Sequence, residues 1–112
     1  MSDRDYTEIM KIAFQAEGAI NDEIRRKFGH TYQDKTIIIK EGDIGQQIFW
    51  ILGGEVYITR REGNKYKVLN TVGKGELIGE MSFFDKSVRS ATVISKGSVE
   101  ALKIVMDARP EI

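Results

Sequence analysis

The residues best suited to chemistry lie in one short stretch, Gly79 to Thr92. Gly79-Glu80 opens it, Met81-Ser82-Phe83-Phe84 follows, and Arg89-Ser90-Ala91-Thr92 closes it, with the Arg nine residues after the Glu. Glycine permits a tight turn and close approach of a ligand to backbone. One helical turn over Glu80 to Phe84 aims free N–H groups at a common point and favours an anion there. Arg89 adds a planar fork of donors suited to phosphate oxygens. The Ser82 and Ser90 hydroxyls can donate as well, while the Glu80 carboxylate accepts from hydroxyls such as a sugar presents. Donors for one phosphate and an acceptor for one ribose hydroxyl describe a nucleoside monophosphate, and a cyclic one suits so compact a stretch. Spacing alone also allows a structural Glu80–Arg89 ion pair, and on spacing alone that plainer reading is the default.

The rest of the chain must position these groups. Its 112 residues make one domain, large enough to bury about two thirds of the surface of the unfolded chain. Lys+Arg and Asp+Glu balance at 17 each, so there is no general pull toward nucleic acid or anionic lipid. The Arg25-Arg26-Lys27 and Arg60-Arg61 clusters read as solvated surface. There are no cysteines, which removes disulfides, thiolate metal sites and a Cys nucleophile. Asp3, Arg4, Asp5 and Glu8 deny the N-terminus the apolar core of a signal peptide. The longest apolar run, Ile48 to Leu52, falls far short of the roughly 20 residues that span a bilayer. A soluble, cytoplasmic protein without membrane contact is expected.

Two helical segments come first. Tyr6, Ile9, Met10, Ala13 and Phe14 share one face of a helical period, and Ser2 with Asp5 resembles a capping box. Gly18 breaks that helix. Ile20, Ile24 and Phe28 form a second stripe, with Gly29 as the stop and His30 at the helix end, outside the β-rich part. From Thr31 the texture becomes short β-rich runs separated by glycine-containing turns. Thr36 to Lys40 is a strand by β-branching, and Glu41-Gly42-Asp43 is a turn. Ile48 to Leu52 is apolar throughout, as a strand covered on both faces must be. Gly53-Gly54 reads as a two-residue hairpin before Glu55 to Arg61, and Glu62 to Lys65 turns the chain into Tyr66 to Val72. Gly73 and Gly75 precede Leu77-Ile78. After the central stretch, Ala91 to Ser95 and Val99 to Ile104 are two strands about a Lys96-Gly97 turn. Some seven short strands predict a sandwich, jelly roll or small barrel. Asp107 with Pro110 reads as the start of a helix cut short at Ile112, so the chain is expected to be a piece of something longer.

Ile78-Gly79-Glu80-Met81-Ser82-Phe83-Phe84, followed by Val88-Arg89-Ser90-Ala91-Thr92-Val93, resembles the phosphate-binding cassette of the cyclic nucleotide-binding domain family, with bacterial members the nearer match. Glu41-Gly42-Asp43, Gly45, Phe49, Ile51 and Gly54-Glu55-Val56 resemble the family's early strands, and Gly73 and Gly75 the turn before the cassette. The likeness runs from about Tyr32 to Ile104. It implies a mainly β fold with flanking helices: an antiparallel β-roll, or double-stranded jelly roll, over 31–106. A helical segment, 1–30, would pack on the roll, and 107–112 would begin a truncated C-terminal helix. It also implies that Glu80 takes the ribose 2′-hydroxyl and Arg89 the exocyclic phosphate oxygens. The expected ligand-binding set is Gly79, Glu80, Met81, Ser82, Arg89, Ser90 and Ala91, with little weight on the Ser82 hydroxyl. Val88 stands where many eukaryotic members carry Pro.

The resemblance thus implies a sensor without catalytic residues, binding cAMP by preference and cGMP as an alternative, with no metal or cofactor. Homodimerisation would run through the missing C-terminal helix, which in the family also closes over the base. Two other readings stand beside it: a ligand-free interaction module on the same roll, and a sensor of another ligand such as a cyclic dinucleotide. A metallo-enzyme on a similar roll needs two or three His, and this chain has only His30.

Overall fold

Five consecutive apolar residues in a strand send side chains to opposite faces in turn, so both faces need cover. That requirement organises the computed structural model, which describes residues 3–16, 18–44, 47–79 and 89–105. Two helices, α1 (Asp3–Gln15) and α2 (Asp22–Phe28), precede six strands: β1 (Gly29–Tyr32), β2 (Ile37–Ile39), β3 (Gln47–Glu62), β4 (Lys65–Gly73), β5 (Leu77–Ile78) and β6 (Thr92–Val105). All pairings are antiparallel, and the main path runs β1-β6-β3-β4, with β2 also on β6 and β5 also on β3. The fold is an antiparallel β-roll with N-terminal helices. Residues 106–112, where the C-terminal helix was expected to begin, lie outside the described residues.

Two long strands form the spine. Gly53-Gly54 does not make the expected hairpin: β3 runs through it, pairing with β6 from Gln47↔Val105 to Thr59↔Thr92. Likewise the Lys96-Gly97 turn does not end a strand, because β6 continues through it. Instead, the ladder slips twice at this point, between Ile51 and Gly53 and between Gly53 and Glu55. The first slip inserts one residue in β3 and so reverses which face its side chains occupy. Phe49 and Ile51 therefore share an interior with Val56, although the numbering parity differs. Gly54 has φ +83°, and a Cβ there would lie 2.3 Å from the Ser98 carbonyl oxygen. Only glycine allows the two strands to approach so closely. These glycines fold the sheet on itself where two tight turns were expected.

The fold produces two apolar clusters. Ile39, Phe49, Ile51, Val56, Ile78, Val93, Val99 and Ala101 fill the interior of the roll, with Tyr32, Ile38, Ile58 and Val72 at its margin. Ile48, Trp50, Leu77 and Leu102 point the other way and are covered by Phe14, Ile20 and Ile24 from the helical segment. The Phe14 and Trp50 rings lie 5.2 Å apart at 39°. The expected stripe on α1 is only partly used: Phe14 packs, whereas Ile9 is about half exposed and Ala13 is exposed. The Tyr6 and Met10 side chains and Ser2 lie outside the described residues. On α2, Ile24 packs, and Phe28 stays more than a third exposed.

Helix α2 starts at Asn21, whose side-chain oxygen accepts from the Ile24 N–H at 2.9 Å. Gly29 does end α2, in extended backbone rather than the left-handed form. Its N–H reaches the Arg25 carbonyl, and a Cβ there would collide with that oxygen. His30 is a strand residue, opposite Ala101, and not the end of a helix outside the roll. Among the described residues, no helix is long and apolar enough to cross a membrane.

Candidate functional site

The site is built around a buried cation. Arg89 is 6% exposed and is the one charged side chain among the described buried residues. Burying a guanidinium is costly unless its N–H groups find acceptors. Here Nη1 donates to the Gly79 carbonyl at 2.7 Å, and Nη2 donates to the Gln47 carbonyl. One fork thus ties the end of β6's leading loop to the residue after β5 and to the start of β3.

The Arg89 backbone is clasped as firmly. Its N–H donates to the Asp43 carbonyl at 2.6 Å, and its carbonyl accepts from the Gly42 N–H at 2.9 Å. The Glu41-Gly42-Asp43 turn, with Gly42 at φ +92°, is therefore more than a connection. It holds the arginine in place. Glu41 is anchored in turn, its N–H donating to the buried Thr92 hydroxyl at 3.0 Å and its carboxylate accepting from the Arg61 N–H. Thr59 closes the set by donating to the Thr92 carbonyl at 2.8 Å.

Gly79 follows β5, whose Ile78 pairs with Phe49. It has φ +85°, and a Cβ there would lie 2.5 Å from Arg89 Nη1 and 3.1 Å from the Gln47 carbonyl oxygen. Both the backbone conformation and the close approach of the guanidinium require glycine.

Of the seven expected ligand-binding residues, the structure brings Gly79 and Arg89 into direct contact. Ser90 follows, exposed, and Ala91 is half-buried just before β6. Glu80, Met81 and Ser82 lie outside the described residues, as does any Glu80–Arg89 ion pair. Gln47, Gly42, Asp43 and Thr92 join the site although none stood in the expected ligand-binding set. The first three act through backbone groups, which any residue type supplies; Thr92 alone had a legible signal, a buried hydroxyl at the end of the motif. Among the described residues the one clear pKa shift lies elsewhere: burial pushes the Tyr32 phenol up, where its ring meets the Phe49 edge at 6.3 Å. Among the described residues, no three His, Cys, Asp or Glu side chains gather as metal ligands.

The geometry describes a β-roll with a glycine-framed corner that holds a buried cation. The model of the cyclic nucleotide-binding domain matches residues 30–108, and the chain belongs to that family. It is 35% identical over 68 residues to the cyclic AMP receptor protein of Thermus thermophilus, covering 60% of this chain and 32% of that one. It is 38% identical over 65 residues to the cAMP-dependent protein kinase regulatory subunit of Schizosaccharomyces pombe, covering 58% of this chain and 15% of that one. Among solved structures, an EAL enzyme in its cAMP-bound form matches with a TM-score of 0.66 at 30% identity, over 69% of this chain and 21% of that one. The same enzyme is known in a cGMP-bound form. The chain spans less than half the length of each of these proteins.

Proposed function

We propose that this chain is a sensor domain that binds a cyclic nucleotide, cAMP in preference to cGMP, at the corner around Arg89. The observation that carries the reading is the buried guanidinium, held within 2.7 Å of the Gly79 carbonyl at the mouth of the segment 79–89. A cation fixed by backbone carbonyls loses little freedom when it meets a phosphate, and preorganisation of this kind favours affinity. In this reading Arg89 takes the exocyclic phosphate oxygens and Glu80 the ribose 2′-hydroxyl. Gly79, Met81, Ser82, Ser90 and Ala91 complete the cradle through backbone N–H groups, with the Ser90 hydroxyl in addition.

The preference for cAMP rests on the two curated relatives, both named for that nucleotide. The output is a shift of the N-terminal helices, which dock through half-buried side chains and so have weakly held alternatives. A ligand moves such a balance only by binding one arrangement more tightly.

A second reading, a ligand-free interaction module, draws on the same observation: an arginine donating to the Gly79 and Gln47 carbonyls supports the fold without any ligand. Titration calorimetry with cAMP and cGMP separates the two. The proposal expects saturable binding of both, cAMP the tighter, and at least about tenfold weaker binding in Glu80→Gln, equivalent to about 1.4 kcal/mol. Absence of heat with either nucleotide favours the module, and equal affinities remove the base preference.

A further inference from the structure

Away from Arg89, a cavity of about 440 Å³ opens between the helical segment and the outer face of the roll. Its volume falls within the range of small-molecule sites. The apolar wall comes from Phe14, Ile20, Trp50 and Leu52, and Arg25 and Lys74 are the charged side chains among the described lining residues. Neither cation is strongly committed. Arg25 meets Glu100 at 3.5 Å with both side chains nearly half exposed, a pairing worth little. Lys74 takes part in none of the ion pairs among the described residues, and nearby Glu76 is matched to Lys11. The rim that carries Lys74 is fixed, because the Gly75 N–H donates to the Ile51 carbonyl and the Ile51 N–H to the Glu76 carbonyl.

We propose that this cavity is a second binding site, for a small amphipathic carboxylate whose apolar body lies against Phe14 and Trp50 while its charged end faces Lys74 and Arg25. Charge complementarity sets the class: the wall accepts hydrocarbon or an aromatic ring, and the full charges among its described lining residues are positive. Such a ligand touches α1, the α1–α2 connection, α2 and the roll at once, so it fastens the helices to the sheet. That gives the domain a second input, at a place distinct from Arg89.

Trp50 is the single tryptophan of the chain and lines the cavity, so its fluorescence reports occupancy directly. Octanoate and 1-octanol are titrated into the full chain as charged and neutral probes of one length. The expected result is a saturable change in Trp50 emission with octanoate, a raised melting temperature, and binding of 1-octanol weaker by about tenfold or more. Lys74→Glu, a change at an exposed residue that leaves the unliganded melting temperature in place, is expected to weaken octanoate about tenfold or more and leave 1-octanol unaffected. Equal binding of the two probes, no saturation with millimolar octanoate, or undiminished octanoate binding in Lys74→Glu overturns the proposal.

Discussion

The two faces of the central strands draw on alternate residues of the same run but are built differently. In β3, Phe49 and Ile51 enter the roll while Ile48 and Trp50 face the helices. Inside the roll, the cluster is closed by the sheet itself, and the neighbouring Arg89 is held by the carbonyls of Gly79, Gln47 and Asp43. On the outer face, closure is borrowed from Phe14, Ile20 and Ile24, which remain partly exposed. One side is framed by backbone geometry, the other by side chains laid against it. The first suits a site that must hold its shape, and the second suits a contact that can change.

This contrast predicts unequal responses to truncation. Phe49→Ala, which empties a position 1% exposed, should cost about 3–5 kcal/mol and unfold sheet and helices together in a urea titration followed by circular dichroism. Ile24→Ala should cost less, about 1–2 kcal/mol, because its side chain is already partly solvated. Its signature should be local: Trp50 emission shifts to the red while the β-sheet signal persists. A cost equal to that of Phe49→Ala, with loss of the sheet, would make the two faces one cooperative unit and dissolve the contrast.

Smaller effects refine it. Asn21→Ala removes the cap of α2 and should cost about 1 kcal/mol, read as reduced helical ellipticity. Tyr32 supplies a pH test at the margin of the interior cluster. Its phenol is raised in the folded state by burial, so its contribution to stability is complete below the ordinary tyrosine range near pH 10 and is lost as pH rises through the folded value. Tyr32→Phe should flatten that part of the alkaline stability curve, measured by denaturant midpoints at successive pH values.

What was legible in the chain, and what was not, follows the same division. Ile48 to Leu52 announced a strand covered twice, because alternation leaves no other home for five apolar side chains. Leu77-Ile78 and the Gly63-Asn64 reversal were equally readable. Gly53-Gly54 and Lys96-Gly97 misled, since a glycine at positive φ serves a bulge as well as a turn, and only pairing with a distant strand decides between them. The stripe on α1 gave a face but not its cover, and Ile9 and Ala13 remain exposed. Arg89 was identifiable as a cation nine residues after Glu80 of the Gly79-Glu80 pair. Its partners were not, because the carbonyls of Gly79, Gln47 and Asp43 carry no mark in the side-chain alphabet.

The central claim is that the Arg89 fork serves a phosphate as well as the fold. The most direct test is calorimetric titration of cAMP into the wild type and Arg89→Lys, with a thermal melt of each to establish folding. Lysine keeps the charge but cannot span two acceptors with a planar fork. The account predicts a folded variant whose affinity for cAMP falls by about 10²-fold, equivalent to about 2.7 kcal/mol. A folded Arg89→Lys that binds cAMP as tightly as the wild type would contradict it and leave Arg89 a structural residue.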